Sequence, residues 1–155
     1  KDCCDTTQGI EKIVYPQDKN ETDTELAVDN AIMRGCTSVD IYGGYGKRPD
    51  HMLGNILLTV KYPGIVRLIM KQGRLLAMEG LSRHVISGKP GAIVSLIPFG
   101  TLVQNVRTNG LHYRLDGRHL RPGTHGISNY MESDTASVEI QKGCLLIYVG
   151  EGELD

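Results

Sequence analysis

Val39-Asp40-Ile41-Tyr42-Gly43-Gly44-Tyr45-Gly46-Lys47-Arg48-Pro49-Asp50-His51 decides how the first part of the chain is read. Val39 to Tyr42 is a short run with strand-forming side chains, and Gly43 to Pro49 interrupts it with turn chemistry. From about Asp50 to Val60 the residues read as a helix. A strand passing through a glycine loop into a helix is one unit of an open α/β sheet. Ligands bind such sheets where the carboxyl ends of strands meet helix amino termini.

The same alternation extends upstream. Ile13-Val14-Tyr15 predicts a short strand stopped by Pro16, and Thr22 with Glu25 has the spacing of a capping box. The helix that follows has Ala27, Val28, Ala31 and Ile32 on one face and Gly35 at its exit. After about Gly64 the helical period disappears. Apolar runs at 65–70, 75–78, 84–86, 92–97, 138–140 and 145–149 are separated by Gln72-Gly73, Lys89-Pro90-Gly91, Asp116-Gly117 and Lys142-Gly143. The expectation is a partial Rossmann-like α/β domain over residues 1–63, followed by an antiparallel β-sandwich over 64–155.

Composition narrows the function classes. A formal charge of −1, from 17 basic and 18 acidic residues without long blocks, announces no polyanion-binding surface, so nucleic acid is not an expected partner. No apolar stretch approaches the roughly 20 residues that span a bilayer, and Lys1-Asp2 does not open a secretory signal. A soluble, cytoplasmic protein without a membrane partner is expected. Cys3, Cys4, Cys36 and Cys144 form no zinc-ligand spacing and read as reduced thiols, Cys36 and Cys144 serving as small apolar residues. His51, His84, His112, His119 and His125 lack helical ligand spacing and read as surface or packing residues.

Three places could carry chemistry. Lys19-Asn20-Glu21-Thr22-Asp23 sets a cation and a carboxylate at a helix start, where Asp23 could hold Mg²⁺ and Lys19 meet phosphate; an exposed helix start with a capping acid has the same sequence. The glycine loop adds Lys47 and Arg48 before Asp50, and cations, amides and a carboxylate are what phosphoryl transfer requires. It is not a Walker loop, and a flexible turn with solvated charges would read alike. Finally, Thr124 to Asn129 with Gly110-Leu111-His112-Tyr113 could hold a flat heteroaromatic ligand by stacking and hydrogen bonds, or could be ordinary loop polarity beside a core tyrosine.

Taken in order, Tyr15 to Ala27, Gly43 to His51 with Asn55, Ser95-Leu96-Ile97-Pro98, Gly110 to Tyr113 and Gly126-Ile127-Ser128-Asn129 resemble the thiamine pyrophosphokinase family from Ile13 to Val149. The resemblance implies an enzyme that moves diphosphate from ATP to the thiamine hydroxyl, with Mg²⁺, in a homodimer whose thiamine sites lie between subunits. It implies catalytic roles for Asp23, Asp50 and Arg48, with Asp23 and Asp50 as metal ligands. Lys19, Thr22, Gly44 and Lys47 are expected against ATP, and Tyr113, Ser128 and Asn129 against thiamine. Asn20, Lys47 and Pro49 depart from the residues common in the family motifs. The family also carries an upstream Gly-Asp-x-Asp-Ser segment, which Lys1-Asp2-Cys3-Cys4-Asp5 does not supply, and the reading frame before Lys1 is where it is to be sought. The alternatives are a catalytically incomplete thiamine-binding or dimerisation fragment, and another nucleotide-dependent phosphotransferase.

Overall fold

The computed structural model describes residues 13–46 and 48–151. In chain order it contains α1 (Asp23–Met33), β1 (Val39–Tyr42), α2 (Pro49–Lys61), β2 (Val66–Met70), β3 (Gly73–Glu79), β4 (Ser82–Ser87), β5 (Ile93–Asn109), β6 (Asp116–Leu120), β7 (Asn129–Tyr130), β8 (Thr135–Ile140) and β9 (Lys142–Gly150).

The ends of α1 follow their sequence signals. Thr22 is the N-cap, its Oγ1 accepting from the Glu25 amide at 3.2 Å. Glu25 does not close the box; its carboxylate accepts from Lys61 Nζ at 2.8 Å, joining α1 to the end of α2. This hydrogen bond holds the Lys61 ammonium above its ordinary range, with further help from Tyr62 and Asp29. At the other end Gly35 takes φ +89°, and the amides of Gly35 and Cys36 donate back to Ile32 and Ala31, satisfying carbonyls of the last turn. α2 opens with Pro49 in its first turn, where a missing amide hydrogen costs nothing.

The strands form one curled sheet in the order β1-β2-β3-β9-β5-β8-β4, with β6 and β7 also paired to β5. Among the described residues only β1 and β2 run parallel. The curl is made within β5. Its first part pairs with β9 as far as Phe99↔Cys144, the register then shifts to Gln104↔Lys142, and its last residues pair with β8 at Arg107 to Asn109. Gly100 at φ +75° and Asn105 at φ +53° supply the bend.

Two apolar cores lie on opposite faces of β3 and β9. Leu76, Met78, Leu145, Ile147 and Val149 enter the core inside the sandwich, with Val94, Leu96, Val103, Val106 and Val138. The alternate residues Leu75, Ala77, Cys144 and Leu146 enter a second core beneath α1 and α2, with Val28, Leu58, Val66 and Leu68. Burial on both faces explains why Leu145 to Val149 reads as an unbroken apolar run. The fold is thus α/β joined to a β-sandwich, through strands shared by both layers. β2 lies just past the expected boundary at residue 63 and bridges β1 to β3, so the sheet is continuous there.

Four local readings differ from the structure. Ile13 to Tyr15 form no strand, and Val14 is 81% exposed. Apolar content favours extended backbone, but a strand persists by pairing, and among the described residues β1 pairs only with β2. β5 runs far beyond Ile97, because Pro98 and Gly100 are accommodated at its bend, and β6 begins at Asp116-Gly117, which reads as a turn. Cys144 is buried as expected, whereas Cys36 is exposed; both are free thiols, and burial pushes the Cys144 thiol above its ordinary value. Among the described residues no helix is long and apolar enough to cross a membrane.

One histidine couples the fold to pH. Burial, reinforced by Arg74 and Arg67, holds the His84 imidazole below its ordinary value of 6.5. The unfolded chain therefore binds the proton more readily, and stability present above about pH 6.5 is lost as the pH falls through the lower folded value. Urea titrations between pH 7.5 and 5 are expected to show this loss, with a shallower slope in His84→Gln; an unchanged slope would remove His84 as its source.

Candidate active site

At the carboxyl end of β1, the glycine loop and the first turns of α1 and α2 enclose a cleft of about 740 Å³. Asp23, Thr24 and Ala27 line it from α1, residues 42–46 from the loop, and Arg48, His51, Met52 and Asn55 from the start of α2. Val28 and Ile41 give it an apolar floor. This is the edge at which an open α/β sheet presents its ligand-binding loops.

The expected residues distribute unevenly around it. Asp23 lines the cleft with its side chain 91% exposed, and its carboxylate accepts a hydrogen bond from Lys19, whose ammonium also lies 5.7 Å from the Tyr15 ring centroid. Gly44 and Arg48 line the cleft as well. Thr22 does not; its hydroxyl is engaged as the α1 cap. Arg48 Nη2 donates to Asp50 Oδ2 at 2.5 Å and Nε to Oδ1 at 3.2 Å, and Asp50 itself stands outside the lining. The hydrogen bond from Arg48 is the main reason the Asp50 carboxyl lies below its ordinary range. Lys47 lies outside the described residues.

The cleft also includes residues that spacing did not single out. Asp40 is held by Arg67, its cross-strand neighbour, through contacts of 2.6 and 3.0 Å. The available signal was a carboxylate within the otherwise uncharged strand Val39 to Tyr42. Tyr45 accepts through its hydroxyl from the Lys71 amide at 3.1 Å, and Asn55 donates to the Gly44 carbonyl at 2.7 Å. Among the described residues no group of three or more His, Cys, Asp or Glu converges on a point that could hold a metal ion.

A second polar cluster lies in the sandwich. Tyr113 is 63% exposed and meets His112 edge to face, with centroids 4.8 Å apart, while His112 stacks on Tyr130 at 4.5 Å. Asn129 is buried beneath them. Its Oδ1 accepts from the amides of Tyr113 and Tyr130, and its Nδ2 donates to the Tyr113 carbonyl, each at 2.9 Å. The Asn129 side chain is therefore committed to holding the Tyr113 backbone. Ser128 has φ +63°, and its amide donates to Ser95 Oγ at 3.2 Å. Tyr113, Ser128 and Asn129 are absent from the lining of the first cleft, so the two clusters are separate features of this chain.

Two family models match the chain: thiamin pyrophosphokinase, catalytic domain, over residues 5–69, and thiamin pyrophosphokinase, vitamin B1 binding domain, over residues 83–145. Each contains one of the two clusters. Thiamine pyrophosphokinase from Bacillus subtilis (strain 168) is 31% identical over 140 residues, covering 86% of this chain and 64% of that protein. A crystal structure of the Bacillus subtilis enzyme superposes with a TM-score of 0.80 at 29% identity, covering 87% of this chain and 65% of the other. Thiamin pyrophosphokinase from Geobacillus thermodenitrificans gives a TM-score of 0.80 at 25% identity, covering 89% and 65%. The curled sheet with its helical layer is thus the fold of these proteins, and the chain belongs to the thiamin pyrophosphokinase family. It spans just under two thirds of the length of these relatives.

Proposed function

We propose that the protein is a thiamine diphosphokinase, transferring diphosphate from ATP to the thiamine hydroxyl to give thiamine diphosphate and AMP. The observation that carries this reading is the meeting of Asp23, Arg48 and the glycine loop in one cleft, within the part of the chain that matches the family's catalytic domain. The thiamine oxygen attacks the β-phosphorus, the bond from that phosphorus to the α,β-bridging oxygen breaks, and AMP departs. Arg48 faces the phosphate charge from the cleft lining, Lys19 acts from outside that lining through its place beside Asp23, and a cleft carboxylate orients the hydroxyl or accepts its proton. Tyr113 packs on the thiamine rings, held at that position by Asn129.

The donor set fits Mg²⁺ in a limited way. Mg²⁺ retains several waters and takes one or two carboxylates together with substrate phosphates, so the exposed Asp23 carboxylate could serve without a protein cage. When bound there it would neutralise charge on the diphosphate. Asp50 could join it only by releasing Arg48. The separation of the two clusters supports a homodimer in which the sandwich of one subunit brings thiamine to the cleft of the other. The free thiols Cys36 and Cys144 accord with a cytoplasmic setting.

A second reading is a thiamine-binding or dimerisation fragment without turnover, favoured by the commitment of the Asp50 carboxylate to Arg48 and of the Asp40 carboxylate to Arg67. One experiment separates the two. With ATP, Mg²⁺ and thiamine, the longest form its gene encodes is expected to produce thiamine diphosphate and AMP in equal amounts; ADP would reject the mechanism. Calorimetric thiamine binding without either product would establish the second reading instead.

A further inference from the structure

The glycine loop is fastened to the helix that follows it by a side chain of that helix. Asn55 lies in α2, and its Nδ2 donates to the Gly44 carbonyl, 11 residues earlier, at 2.7 Å in a partly buried contact. Gly44 fits so closely that a Cβ there would stand 2.5 Å from Leu68 Cδ1 and 3.0 Å from Asn55 Nδ2. Gly43 and Gly46, by contrast, have nothing within 4 Å of where a Cβ would be. The loop therefore has one tightly seated peptide between two unencumbered ones. Tyr45 anchors the next residue through its hydroxyl to the Lys71 amide.

We propose that Asn55 is a positioning residue for the phosphate chain of the nucleotide. A backbone carbonyl left unpaired at the edge of an anion-binding cleft would present negative charge to the phosphates. Asn55 engages the Gly44 carbonyl as a donor and fixes the peptide from which the loop continues to Gly46 and Arg48. The inference rests on the nucleotide reading of the cleft and adds to it the element that sets the shape of the loop. An asparagine is suited to this, because its amide donates without bringing a charge that would compete with Arg48 for the ligand.

The test compares ATP and adenosine, titrated into the protein and into Asn55→Ala, Asn55→Asp and Asn55→Gln. Asn55→Ala is expected to weaken ATP binding about tenfold, the scale of one hydrogen bond, while adenosine binding changes less than about twofold. Asn55→Asp, which loses the donor and adds a negative charge, is expected to weaken ATP further. Asn55→Gln, which keeps the donor, should recover part of the loss. Amide hydrogen exchange at residues 43–46 is expected to quicken in Asn55→Ala while the β3 and β9 amides keep their protection. Equal losses for ATP and adenosine, or unchanged exchange in the loop, would overturn the positioning role. If the unsubstituted protein binds no ATP, the nucleotide reading itself fails and with it the role of Asn55 toward phosphate; the exchange measurement then still decides whether Asn55 fastens the loop.

Discussion

Asp23→Asn is expected to lower diphosphate transfer by about 100- to 1,000-fold, the range for removing one group that stabilises charge in a transition state. The melting temperature should fall by no more than about 4 °C. The separation follows from where Asp23 sits: its side chain is 91% exposed, its partner Lys19 is four residues away, and Thr22 rather than Asp23 caps α1. An exposed pair of this kind contributes about 0–1 kcal/mol, and a chain of this size loses about 2–4 °C per kcal/mol. Asp50→Asn is expected to reduce turnover as well, but by releasing Arg48 from their 2.5 Å contact. A rate for Asp23→Asn within about twofold of the parent would exclude its carboxylate from the centre.

Gly126→Ala should act in the opposite sense, on the fold first. A Cβ on Gly126 would stand 2.0 Å from the Leu96 carbonyl oxygen, and the Leu96 amide already donates to the Gly126 carbonyl at 2.7 Å. The obstacle is backbone in β5, so no rotamer change relieves it, and the 124–128 loop must move away. Overpacking costs of about 3 kcal/mol are at the upper end for one methyl, which corresponds to a fall of about 6–12 °C in melting temperature. Thiamine binding should weaken with it, since the Ser128 amide would lose its approach to Ser95 and the peptide before Asn129 would shift. A melting temperature within about 2 °C of the parent would mean that this crossing yields easily.

Much of this architecture was legible because local chemistry and tertiary packing agree. Thr22, Glu25 and Gly35 mark the ends of α1 through hydrogen bonds made within a few residues of one another. The glycine loop announces a strand-to-helix turn for the same reason, and Asp23, Gly44 and Arg48 do meet in one cleft. What escaped the sequence depends on partners distant along the chain. Ile13 to Tyr15 have strand composition but no neighbouring strand among the described residues, and β6 is polar because its pairing with β5 lies near the surface. Asp40 takes its place in the cleft opposite Arg67, 27 residues away. Asn129 is expected at the ligand from its motif, yet its three hydrogen bonds, all to backbone groups, can be counted only once Tyr113 has been brought beside it.

The division of β3 and β9 between two cores has a consequence for the order in which the molecule can assemble. β9 follows every other described strand, and Cys144 and Leu146 form part of the surface on which α1 and α2 rest. During translation, the helices that shape the cleft emerge long before that surface is complete. The amino-terminal half must wait, incompletely seated, until the chain from Lys61 to Gly150 has left the ribosome. Cleft formation is thereby deferred until the sandwich is made, and a ribosome stalled before β9 should carry a chain that is protease-sensitive in both halves at once.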